Sequence, residues 1–313
     1  MQKDEPEMGR SKKFKASAVP GTLVVVAIVT GLVVLLASGH RKPFPTTQPV
    51  VRDISLVEER IALAVAISEQ LALTTIGEVL YGEYKAPVWA LSFTPLEEPK
   101  YEVLLTGGVH GNEPVSVEIV LQMVETLAEN PEKYENIYFD IVPIVNPWGW
   151  SHDIRFNRDG RDVNRDFASF GSQEAMIIRE FTAGKEYDLI VDHHQYVGGT
   201  GFYMYQLANA SQLVSRKVIK AVRDQGYPIE QRVRVIILKT EDGLIDAPMW
   251  TLRFVRLVNR LSMTNYFRLN NNDLVYLIET PAGLSRESQL TMHKIAVDIL
   301  LNSLSSDFAQ DGS

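Results

Sequence analysis

Residues 107–114 read GGVHGNEP and set an imidazole and a carboxylate three residues apart, at His110 and Glu113. Imidazole nitrogen and carboxylate oxygen both bind Zn2+ at roughly 2.0–2.2 Å, and a His-x-x-Glu turn can aim both at one point. Glycines at 107, 108 and 111 let the backbone turn sharply there. The bare pattern is weak, but a third candidate ligand stands further along, in VDHHQ, where His193 and His194 are adjacent. A catalytic zinc site keeps three protein ligands and one open position for water, so one histidine of the pair suffices and the other is free to be structural. Asp192 could orient a ligand imidazole from behind.

Two further segments hold polar groups suited to a reaction. RFNRDGRDVNRDF, residues 155–167, is dense in Arg, Asp and Asn, with Val163 and Phe167 as apolar anchors. The planar fork of arginine suits bidentate capture of a carboxylate, and a second arginine could stabilise an oxyanion. A solvated charged loop is the alternative. Glu279, in LIETP, ends an otherwise apolar run. A lone carboxylate there is costly without a polar site to face, and a general base acting on water at a metal would have such a site.

Composition narrows the chemistry. The chain has 313 residues, 45% of them apolar, which is ample for one large core, and no cysteine. Disulfides, thiolate ligands and cysteine nucleophiles are thereby excluded. Any metal must be held by His, Asp or Glu, with only six histidines available. The net charge of −8, with no basic arm, argues against a nucleic-acid partner.

The elements that must position these groups alternate. A helix is expected over 53–75, from Ile54, Val57, Ile61 and Val65 at helical spacing, and a hairpin over the Gly-punctuated stretch that follows. Buried strands are expected at 101–107, 137–145, 187–192 and 273–278, and helices at 114–129, 172–184, 209–225 and 286–303. This order predicts an α/β domain with a mixed, mostly parallel twisted sheet flanked by helices. His110, Asn146, the 193–194 pair and Glu279 all fall at carboxyl ends of strands, where such sheets gather their sites.

The domain plan read from the sequence is a polar cytoplasmic tail at 1–18, a transmembrane helix or signal anchor at 19–38, a Pro/Thr-rich linker at 39–52, a catalytic domain at 53–306 and a disordered tail at 307–313. Residues 19–38 carry no charge and have about the length of a spanning helix. Arg10, Lys12, Lys13 and Lys15 before the run favour an inside N-terminus. The expected protein is single-pass, with its catalytic domain exported to an extracellular or periplasmic space, or secreted if the segment is a cleaved signal.

Taken together, the motifs resemble the zinc carboxypeptidase family of metallocarboxypeptidases and murein-peptide amidases, over roughly residues 70–305. GGVHGNEP resembles the family's first zinc motif, NPWGW its Asn-Pro-Asp-Gly turn with Trp148 replacing the Asp, and GRDVNRDF its "GVDLNRNF" motif. The resemblance implies one zinc per chain on His110, Glu113 and, aligned on Asp192, His194 rather than His193. It implies Asn164 and Arg165 on the substrate's terminal carboxylate and Arg155, with Arg158 as competitor, at the oxyanion. Glu279 would be the general base on a zinc-activated water. A substrate-closing tyrosine is also implied, for which Tyr203 and Tyr266 are candidates. The implied reaction is hydrolysis of the C-terminal amide bond of peptides, cell-wall peptides among them.

The related succinylglutamate desuccinylase and aspartoacylase group, acting on small N-acyl amino acids, shares the His-Gly-Asn-Glu and Asn-Arg motifs. The wide Arg155-to-Asn164 spacing and the 34 residues after Glu279 favour the carboxypeptidase architecture. A binding module that has lost its chemistry and a membrane-anchored scaffold are the other classes considered. The arginines at 253, 256, 260 and 268 fit either a preference for acidic substrates or an ordinary helix surface.

Overall fold

The computed structural model describes residues 42–45, 47–207, 212–235, 238–270, 272 and 274–305. In chain order the elements are α1 (Ser55–Ile67), β1 (Leu71–Tyr81), β2 (Tyr84–Phe93), β3 (Tyr101–Thr106), α2 (Pro114–Glu129), β4 (Ile137–Val142) and α3 (Pro147–His152). Then follow α4 (Gln173–Phe181), β5 (Leu189–Tyr196), β6 (Tyr203–Leu207), α5 (Gln212–Asp224), β7 (Arg234–Val235), β8 (Leu238–Lys239) and β9 (Leu244–Ala247). Finally come α6 (Met249–Leu257), α7 (Met263–Leu269), β10 (Val275–Pro281) and α8 (Arg286–Leu304).

Eight strands form one sheet in the order β1-β2-β4-β3-β5-β10-β6-β9, and β7 pairs with β8 apart from it. The pairings β4–β3, β3–β5, β5–β10 and β6–β9 are parallel, while β1–β2, β2–β4 and β10–β6 are antiparallel. The expected mixed, mostly parallel α/β sheet is present. Central strands are covered on both faces, so they read as apolar runs rather than alternating patterns: Val103, Leu104 and Leu105 of β3 are all fully buried.

Two apolar clusters fill the two faces. One packs α2 and α8 through Val120, Leu127, Ala296 and Leu300. The other packs Phe167, Ile178 of α4 and Leu252 of α6.

The helix expected over 53–75 stops at Ile67. Ser68 turns extended (φ −136°, ψ 115°) and residues 71–75 pair with 89–93 of β2. The helical spacing of apolar residues ends at Val65, and the β-branched run Thr74-Thr75-Ile76 suits the pleated edge. β6, β7, β8, β9, α6 and α7 have no counterpart in the sequence reading, because these pieces are short and β6, sandwiched between β10 and β9, shows no alternation.

Residues 44, 51 and 52 of the expected linker pack on the domain. The Phe44 ring lies 5.4 Å from that of Trp148, and Val51 N donates to Ser151 O at 2.7 Å. The expected membrane span at 19–38 and tail at 307–313 lie outside the described residues. Among the described residues no helix is long and apolar enough to cross a membrane.

Candidate metal centre

The turn after β3 is built without room for side chains. Gly108 adopts φ +63°, a left-handed conformation that favours glycine. A Cβ on Gly111 would sit 1.9 Å from the backbone carbon of Gly149, so α3 lies directly against the turn. Asn146 holds α3 in place by capping it, Oδ1 accepting from Gly149 N at 2.9 Å. Arg52 closes the outside, donating to Gly111 O at 3.1 Å and Trp150 O at 2.7 Å. The chain then enters α2 with Pro114 in its first turn, which leaves His110 and Glu113 buried on one side of the turn.

Glu113 lies between two imidazoles. Its Oε1 is 2.7 Å from His110 Nδ1 and its Oε2 is 2.8 Å from His194 Nδ1. The backbone N of Gln195 donates to the same Oε2 at 3.1 Å. Burial would push Glu113 up, but His110 and His194 hold it well below the usual carboxylate range. Burial likewise disfavours a charged His194, yet Asp192 and Glu113 raise it well above an ordinary histidine.

Each imidazole has a second carboxylate behind it. His110 Nε2 lies 3.2 Å from Asp162 Oδ1 and His194 Nε2 lies 3.0 Å from Asp192 Oδ2. Thr106 donates to the other oxygen of Asp192 at 2.8 Å.

One donor atom from each of His110, Glu113 and His194 can be chosen so that all lie within 4.8 Å of one another, and all three residues are buried. Two Nδ1 atoms and a carboxylate, each imidazole steadied by a carboxylate on its far nitrogen, are the donors and outer supports a zinc-type ion requires. The residues fit the ion.

Around this cluster the other expected residues divide. Arg155 donates to Asp162 Oδ2 at 3.1 and 3.2 Å and to Glu113 Oε1 at 3.4 Å. Arg158 has no hydrogen bond or ion pair with the cluster among the described residues; its backbone carbonyl accepts from Phe44 N at 2.8 Å. Asn164 is buried, its amide nitrogen 3.4 Å from His194 Nε2 and its oxygen accepting from Met263 N at 2.9 Å. Arg165 donates to Asn164 O at 2.6 Å.

Glu279 is the register partner of His194 on β10. Its Oε2 is buried and has no hydrogen-bond partner among the described residues. Burial foremost, with Glu113 and Asp192, raises this carboxyl to about 8 against the pull of His194 and Arg155. Tyr203, which pairs with Glu279 across β6 and β10, has its phenol raised well above the ordinary value by burial and then by Glu279. Tyr266 instead packs among Phe167, Phe170 and Phe267.

His193 points away from the cluster. Its Nδ1 lies 3.1 Å from Nδ1 of His293 on α8. Adjacent residues of a strand face opposite sides, so only one of the pair can join Glu113.

Asp162 is the participant that sequence reasoning passed over. The signal was its place two residues before Asn164 in a loop whose charges all looked alike.

Comparisons with known proteins bear on the fold and on the kind of protein this chain is similar to. The family model of the succinylglutamate desuccinylase/aspartoacylase catalytic domain matches residues 99–234. Carboxypeptidase SOL1 of Arabidopsis thaliana is 34% identical over 107 residues, covering 30% of this chain. That match spans 21% of the relative's length. A metallo-carboxypeptidase from Burkholderia cenocepacia superposes with TM-score 0.59 at 17% identity, covering 81% of this chain and 70% of its own. Carboxypeptidase A from Helicoverpa armigera does so with TM-score 0.62 at 15% identity, covering 92% and 82%. At such identities the structural likeness is one of fold. The chain is thus similar over residues 99–234 to the succinylglutamate desuccinylase/aspartoacylase catalytic domain, in part of its sequence to carboxypeptidases, and in fold to metallocarboxypeptidases.

Proposed function

We propose that the protein is a zinc-dependent metallocarboxypeptidase that hydrolyses the C-terminal amide bond of peptides. The observation that carries this reading is Glu113 buried between His110 and His194, with Glu279 and Arg155 beside it. Zinc bound by His110, Glu113 and His194 would supply a Lewis acid that acidifies water and polarises the carbonyl.

The remaining work falls to the chain's own groups. Glu279 takes a proton from the attacking water and returns it to the leaving amine, a role suited to a carboxyl whose pKa lies near neutrality. Arg155 offers its guanidinium to the developing oxyanion while Asp162 fixes its plane. Asn164 and Arg165 receive the substrate's terminal carboxylate. We further read residues 19–38 as a membrane anchor that leaves this domain exported, where peptides or cell-wall peptide stems would be its substrates.

A second reading, hydrolysis of a small N-acyl amino acid, is favoured by the family model over 99–234. Both readings use the same cluster and differ in substrate size.

The test is metal content of the full-length protein beside His194→Ala and His193→Ala, followed by release of C-terminal amino acids from peptides and of acyl groups from N-acyl amino acids. About one zinc per chain, lost in His194→Ala and kept in His193→Ala, with peptide cleavage, is the expected result. Cleavage of N-acyl amino acids alone would transfer the assignment to the second reading. No zinc after reconstitution would leave a binding module on this fold.

A further inference from the structure

Helix α6 has two apolar faces, and among the described residues only one of them is packed. Thr251, Leu252 and Val255 are buried. Trp250, Phe254 and Leu257, at positions i, i+4 and i+7, lie on the opposite side and are exposed by 55%, 39% and 83%. Three large apolar side chains on one solvent-facing stripe are not accounted for by the packing of the domain.

Arg253 and Arg256 stand beside the stripe, both exposed, and neither has an ion pair among the described residues. From residue 247 to 272 the chain holds four arginines and no carboxylate, within a protein of net charge −8. Of these, Arg253 and Arg256 are exposed beside the stripe, whereas Arg260 is half-buried and Arg268 buried.

We propose that this face of α6 docks on an anionic lipid surface, with Trp250, Phe254 and Leu257 in the headgroup–acyl boundary and Arg253 and Arg256 on lipid phosphates. An apolar stripe edged by cations is what an interfacial helix presents to such a membrane, and tryptophan is at home at that boundary. A second copy of the chain suits the patch less well. A two-fold contact would bring Arg253 and Arg256 against the same arginines, and like charges facing each other oppose association. The uncharged run at 19–38, read above as a membrane anchor, would keep the chain near such a surface. The docking depends on neither zinc nor the substrate assignment, so it stands or falls apart from the proposed activity.

The chain has no cysteine, so one introduced thiol can be labelled uniquely. Leu257→Cys is labelled with an environment-sensitive fluorophore in the full-length protein, reconstituted in phosphatidylcholine vesicles with or without phosphatidylglycerol. Leu96→Cys is the control, since Leu96 is 87% exposed in the loop between β2 and β3, towards the other edge of the sheet from α6. The expected result is a blue-shifted probe at 257, shielded from aqueous iodide in the anionic vesicles, with the probe at 96 still quenched. Adding R253E and R256E should weaken that shielding by about tenfold or more, since each cation near an anionic surface is worth about fivefold in partitioning.

A probe at 257 that stays open to iodide in anionic vesicles overturns the proposal. So does shielding that is equal in both vesicle types and indifferent to the charge reversals. Shielding that instead grows with protein concentration in detergent, without vesicles, would assign the face to a second copy and overturn the lipid docking.

Discussion

Glu113 shows how a buried charge is tolerated: both of its oxygens meet an imidazole nitrogen, and each imidazole has a further carboxylate at its back. Removing one partner from such a set leaves the others unpaired, so single substitutions here act on more than one contact. Glu279→Gln differs in kind, because it changes the proposed proton carrier without touching the proposed metal donors. That variant should retain stoichiometric zinc while kcat falls by roughly 10²–10⁴-fold, as metal analysis beside steady-state kinetics would reveal. Undiminished turnover would remove Glu279 from the reaction. Arg155→Ala should lower kcat by about 10²–10³-fold, the usual effect of losing one oxyanion donor. A change confined to KM would place Arg155 on the ground-state substrate instead.

At the scale of elements, the site depends on how closely the turn after β3 meets α3. Gly111 is the tightest point, since any Cβ there would collide with the backbone of Gly149. Backbone cannot yield as a flexible side chain can, so Gly111→Ala must separate the turn from α3 and shift His110 and Glu113 together. The expected outcome is a loss of roughly 3 kcal/mol or more of stability with weakened zinc retention, read by urea unfolding and equilibrium dialysis. Unchanged stability would mean that α3 moves freely against the turn. The β5–β10 register matters equally, because it sets Glu279 level with His194. A slip of one residue would turn Glu279 to the other face of the sheet.

For the whole molecule, the unused histidine of the 193–194 pair joins the sheet to α8. His293 is buried against His193 and Thr280, and burial, foremost, lowers it to about 3. The unfolded value is about 6.5, so between these limits the unfolded chain binds the proton that the folded chain refuses. Stability from this group is therefore full above pH 6.5 and declines as pH falls towards 3, by at most about 1.4 kcal/mol per pH unit. Comparing urea midpoints of wild type and His293→Gln at pH 7, 5 and 4 should show a shallower acid decline in the variant. Parallel declines would mean that His293 is charged in the folded protein.

The sequence determined what depends on residue type and local period. His110, Glu113 and their glycine-lined turn, the apolar central strands, and α2, α4, α5 and α8 were legible because spacing and composition act along a few consecutive residues. The alternation of strands with helices also fixed the class of fold. Tertiary structure decided what depends on which side of an element meets another. The pleat of β5 sends His194 to Glu113 and His193 to α8, a choice that the family resemblance implied through Asp192 but that residue type and spacing alone do not reveal. Asp162 and Arg155 acquire their partners only when the loop of 155–167 folds over the turn after β3, and β1 takes residues 71–75 from the expected helix because β2 offers ten strand partners. Contacts between segments dozens of residues apart supply these free energies, and no local pattern of the chain records them.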